Sequence, residues 1–125
     1  MKKKKLKSKK IKESDVDKAV REEVRRRDQV CVFPLRSPED YHAGYLQVSH
    51  FYGRTARSTR YHLDNLDLIC GRHHMWLETR KNGEYLDWKL KMLGRPRFEA
   101  LRVIYRTLRK WKQSELEEII NKPLK

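Results

Sequence analysis

Cysteine is scarce in this chain: two in 125 residues, Cys31 and Cys70. Two thiols cannot build a disulfide framework, which points to a reducing compartment, the cytoplasm. Long apolar runs are missing as well. No stretch approaches the roughly 18 residues of a membrane span, so no membrane partner is expected. The lysine-rich start is followed by no apolar segment, which does not fit a secretory signal. Acidic residues are outnumbered, with 17 Asp and Glu against 31 Lys and Arg. The net charge of +14 calls for a polyanionic partner, most simply nucleic acid. The hydrophobic share, 38%, suffices for one small core.

The charge is unevenly spread. Residues 1–12 read MKKKKLKSKKIK, with eight lysines and no acid. Like charges repel and little apolar area offsets chain entropy, so a disordered basic arm is expected over residues 1–12. Residues 13–125 form one domain that keeps +6 and is basic in its own right. Ser14 is placed to cap a helix over residues 14–28, with Val16, Ala19 or Val20, and Val24 as its apolar stripe. Pro34, Pro38 and Gly44 mark a loop over 29–45. Alternation predicts a short strand over 46–51, and residues 66–69 read as a second short strand or a turn. Helices are expected over 71–80 and 84–93, separated by an Asn-Gly turn and closed by Gly94. Pro96 suits the first turn of a further helix, with Phe98, Leu101, Tyr105 and Leu108 on one stripe. Ser114 and Glu117 form a capping-box pattern for a last short helix. Trp76, Trp88, Trp111, Tyr85 and Tyr105 fall on helical stripes and read as core rather than as base-stacking groups.

Four of the five histidines lie in residues 50–74, together with Asn65 and Cys70. His50, Asn65 and His74 are separated by 15 and 9 positions, and Glu78 follows His74 by one helical turn. Two ligands on one helix face have this spacing.

The pattern resembles the HNH (ββα-metal) endonucleases, with His50, Asn65 and His74 as the matching residues. The segment LDNLDLICGRHH, ending at His74, is similar to the family's DNL-x-L-C-x-x-C/H-H stretch. The surrounding text resembles a phage-type branch near the NinG/Rap recombination endonucleases, and the likeness spans residues 25–101. The resemblance implies an α+β fold: a small ββα-metal core with flanking N- and C-terminal helices. It implies a metal-dependent hydrolase acting on DNA, with branched DNA such as a Holliday junction as substrate and a phage as source. The location is then the host cytoplasm. A homodimer would suit two symmetric cuts across a junction.

The implied roles follow phosphodiester chemistry. His50 takes a proton from the attacking water. His74 is a ligand for a divalent cation, Mg²⁺ or Mn²⁺, which stabilises charge at the phosphate and the departing oxygen. Asn65 orients the base or reaches the metal. Ser49 stands where the family often carries a metal ligand, so Glu78, Asp64 or water must complete the shell. Arg54 and Arg60 match family positions and are expected on DNA phosphates. Many HNH proteins also hold a structural zinc between two knuckles. Cys31, Cys70 and His73 supply three ligands here, with His42 available as a fourth; the alternative is a pair of small buried cysteines without metal. Two rival functions remain: a nicking or packaging-associated HNH nuclease on duplex DNA, and a basic nucleic-acid-binding module without activity.

Overall fold

A computed structural model of the chain describes residues 10–79 and 83–124. Most of the lysine arm, and the Asn of the Asn-Gly turn, lie outside the described residues. Among those described, the elements are α1 (Glu13–Asp28), β1 (Leu46–His50), β2 (Leu66–Cys70), α2 (Gly71–Thr79), α3 (Glu84–Leu93), α4 (Arg95–Arg106) and α5 (Gln113–Asn121), with a single 3-10 turn at Leu63–Asn65. The expected α+β class holds. None of these helices is long and apolar enough to cross a membrane.

The two strands pair antiparallel, with Leu46 opposite Cys70, Val48 opposite Leu68 and His50 opposite Leu66. β2 is buried along its whole length. Its side chains alternate between two cores, as strand geometry requires. Leu66 and Leu68 pack with Val16, Val20 and Val24 of α1 and with Leu116 and Ile119 of α5. Ile69, on the opposite face, packs with Phe33, Leu77 of α2 and Trp88 of α3. β1 follows the same alternation. Leu46 and Val48 pack against the α1 core, whereas Gln47 and Ser49 contact α2 and α3 through His74 and Tyr85. The site is therefore built on a two-stranded spine with a helix layer on each side.

Three local expectations need correction. The first helix begins one residue before Ser14, and its cap is Asp15, whose Oδ2 accepts the Lys12 N–H at 2.9 Å. The last helix is opened in the same way by Glu115 on the Lys112 N–H, at 2.8 Å, rather than by Ser114 and Glu117. α4 ends at Arg106, with Thr107 extended, so the expected stripe stops early: Phe98 and Leu101 are buried, but Tyr105 is exposed and Leu108 is 99% exposed.

Candidate metal centre and adjoining cleft

The loop over residues 29–45 returns to the start of α2 because two glycines allow it. Gly44 has φ +87°, and a Cβ there would meet Gly71 backbone at 3.3 Å. The Arg72 N–H donates to the Ala43 carbonyl at 2.9 Å. This seam carries His42 to Cys70 and His73, while Cys31 arrives from the loop after α1. The ligand atoms of Cys31, His42, Cys70 and His73 all lie within 4.8 Å of one another, and the four can hold a metal ion. His73 Nδ1 is 3.2 Å from His42 Nδ1, 3.4 Å from Cys70 Sγ and 3.8 Å from Cys31 Sγ. His42 Nδ1 and Cys70 Sγ are 3.9 Å apart. The expected three residues thus meet, and His42 joins them.

Asp40, which sequence reasoning missed, stands behind the ring of His73. Its Oδ2 is 2.8 Å from His73 Nε2. With Nε2 as donor to the carboxylate, Nδ1 is left as a lone pair facing the other ligands, the usual support of a metal-bound imidazole. Burial works against ionisation of Asp40, but the N–H groups of Arg36 and Tyr41 and the His73 ring outweigh it and hold the carboxyl well below its ordinary value. Burial opposes the thiolate at both cysteines. At Cys70, backbone hydrogen bonds with His73 and Ala43 outweigh it and lower the thiol, whereas at Cys31 burial wins.

A second feature lies across β1. An open cleft of about 510 Å³ is bordered by Ser49, His50, Arg54, His74, Glu78 and Tyr85. His74 Nδ1 is 2.5 Å from Gln47 Oε1, and Nε2 is 3.7 Å from Glu78 Oε2. Gln47 accepts from Nδ1–H and leaves Nε2 free beside the carboxylate. Ser49 is buried, with its hydroxyl 2.7 Å from the Tyr85 hydroxyl, above the buried pair of Lys89 and Asp67 at 2.8 Å. Half-buried His50 ends β1 and borders the cleft. Burial and the Arg54 guanidinium push its pKa down to about 4, with Asp17 opposing. His50, His74 and Glu78 thus share one cleft. Among the described residues, the Cys31 group is nonetheless the only set of three or more metal-ligating side chains gathered this closely.

Three expected roles change. Asn65 is fully buried and its amide is fully used. Oδ1 accepts the Tyr52 N–H at 2.8 Å, and Nδ2 donates to the carbonyls of Tyr52 and Thr59 at 3.0 and 3.1 Å. It ties the loop that follows His50 and so positions that residue, but it offers no atom to a metal. Asp64 is also withdrawn from the metal shell, because it pairs with Arg97 of α4. Arg60 is not a free phosphate contact: its side chain is 14% exposed, with Nη2 2.6 Å from Asp17 Oδ2 and Nη1 3.2 Å from Glu13 Oε1. Arg54 also reaches Asp17, at 3.0 Å, but stays 60% exposed and open to the cleft. Tyr85, read from the sequence as core, also turns its hydroxyl to Ser49 at the cleft. Gln47, unnoticed in the sequence, carries one usable signal, since residues 47 and 49 alternate with the core positions 46 and 48 and so face α2. No protein-family model, no curated protein and no solved structure matches the chain.

Proposed function

We propose that this chain is a metal-dependent nuclease of the HNH type that hydrolyses phosphodiester bonds in DNA, on a fold fastened by a structural zinc. The observation that carries the reading is the shared cleft. It brings His50 from the end of β1, His74 and Glu78 from one face of α2, and the exposed guanidinium of Arg54 around one open space.

The residues act as follows. With its pKa near 4, His50 is neutral at physiological pH and can accept the proton of an attacking water. Asn65 holds the chain after His50 through the Tyr52 backbone, so the imidazole keeps its place. Arg54 offers charge to the phosphate oxygens. Gln47 keeps the Nε2 lone pair of His74 pointing away from the strand and beside Glu78. A divalent cation held there, Mg²⁺ or Mn²⁺, supplies charge stabilisation at the phosphate and the departing 3′ oxygen. Branched DNA of a phage is the substrate proposed, with a 5′ phosphate and a 3′ hydroxyl as products.

Zinc is the ion proposed for Cys31, His42, Cys70 and His73. Tetrahedral zinc, with bonds of about 2.3 Å to sulfur and about 2.0 Å to nitrogen, sets N···N separations near ~3.3 Å and S···N near ~3.5 Å. The observed 3.2 Å and 3.4–3.9 Å are close to those values.

A second reading, a zinc-fastened binding module without activity, is favoured by one observation: only the Cys31 group gathers three or more ligands among the described residues. A cleavage assay with Mg²⁺ or Mn²⁺ on linear, nicked, flapped and four-way DNA separates the two. Cutting of the four-way substrate above the others supports the nuclease reading. Binding without cutting under every divalent metal supports the module.

A further inference from the structure

His50 borders a second cavity, of about 300 Å³, on the side of β1 that faces α1. The two cavities share Val48, His50 and Arg54, so they form one trough running across the end of the strand. The α1 side is strongly basic. Asp17, Arg21 and Arg25 follow one another at four-residue spacing and stand in one row along the helix, all of them lining the cavity. Arg54 and Arg60 face them from the loop, and both turn to Asp17. That carboxylate is therefore already shared between two guanidinium groups. Arg21 and Arg25 have no carboxylate ion pair among the described residues, where Asp17 pairs with Arg54 and Arg60 and Glu23 with Arg26. Like charges one turn apart disfavour a helix, and an anion between them would reverse the sign of that contact. Arg25 is also fixed in direction, since Nη2 donates to the Leu46 carbonyl at 3.2 Å and holds the side chain at the start of β1.

We propose that Arg21 and Arg25 form a second phosphodiester-binding subsite, which grips the DNA strand beside the phosphate presented to His50. The proposal rests on the nuclease reading for the role of His50, but the subsite binds phosphate whether or not the chain cleaves. Arg21 and Arg25 are positioning residues here. They hold the strand along the trough and do not touch the reacting atoms.

The test is binding of a short duplex DNA oligonucleotide without Mg²⁺ or Mn²⁺, followed by fluorescence anisotropy over a salt series. Arg21→Gln/Arg25→Gln should weaken binding about tenfold or more at low salt and shrink the slope of log K against log salt by about 2, the counterion release of two phosphate contacts. Lys18→Gln/Lys122→Gln removes the same charge from exposed positions outside the trough and should weaken binding only about threefold or less. Arg21→Gln alone, at an exposed side chain, should give about half of the slope change and guards against a folding defect in the double variant. Equal losses from the arginine and lysine pairs, or an unchanged slope in the arginine variants, would overturn the subsite. A wild type that binds in this pattern but cuts nothing would instead remove the nuclease reading and leave the subsite standing.

Discussion

Asn65 spends every hydrogen-bonding atom of its side chain on the backbone of the loop after His50. Asn65→Ala leaves the Tyr52 N–H and carbonyl without a partner, while the Thr59 carbonyl keeps the His62 N–H, at a cost of about 2–3 kcal/mol. A lowered denaturant midpoint, together with slower cleavage and nearly unchanged DNA affinity, is the expected result. His50 gives a pH signature. Its folded pKa near 4 lies below the ordinary value near ~6.5. Between these values the unfolded chain takes up a proton that the folded chain refuses. Stability from this group is complete above the ordinary value and is lost as pH falls through that window. Melting temperatures over a pH series should show the decline in the wild type and a weaker one in His50→Gln. The places of His50 at a strand end and of His74 and Glu78 on one helix face were legible from alternation and helical spacing, while the roles proposed for them come from the resemblance. The work of Asn65 was not, because it depends on which carbonyls the loop turns inward. Arg60 was misread for a similar reason: its partner Asp17 is 43 positions earlier in the chain.

At the scale of elements, α1 is joined to the loop over residues 51–62 by the pairing of buried Asp17 with Arg60 and Arg54. Burial tends to raise the Asp17 carboxyl, but the two guanidinium groups outweigh it and lower the pKa. Asp17→Asn should destabilise the fold by about 2 kcal/mol, since it leaves the largely buried Arg60 with Glu13 as its remaining anion. Calorimetry would show the loss above the ordinary carboxylate range, where the pairing acts in full. The difference from wild type should close as pH falls through the lowered Asp17 value. The strands and the middle helices could be read from apolar alternation, from Gly94 and from Pro96. The helix starts could not, because Asp15 and Glu115 each reach back to a lysine N–H, while Ser14 and Ser114 looked the better caps. The α4 stripe was over-extended because periodicity continues through Leu108 although the backbone turns at Thr107.

For the whole molecule, a two-stranded sheet offers little core of its own, and a metal ion held by the Cys31 group would fasten the loop over 29–45 to β2 and α2. Metal analysis should find about one tightly held zinc per chain, and a chelator should lower the melting temperature. His42→Ala should show the same lowering without chelator, and Asp40→Asn a smaller one with weaker metal retention. Three of the ligands were visible as a knuckle remnant. His42 was available in the sequence as a fourth, and the Gly44–Gly71 contact is what brings it to the other three. The central claim, that the cleft at His50 hydrolyses DNA, is tested most directly by single-turnover cleavage of four-way DNA by the wild type and by His50→Ala, with binding measured on the same samples. The account predicts cleavage slowed by about 10² or more and affinity kept within a few-fold, because the proton acceptor is gone and the arginines remain. Cleavage by His50→Ala at the wild-type rate would contradict it.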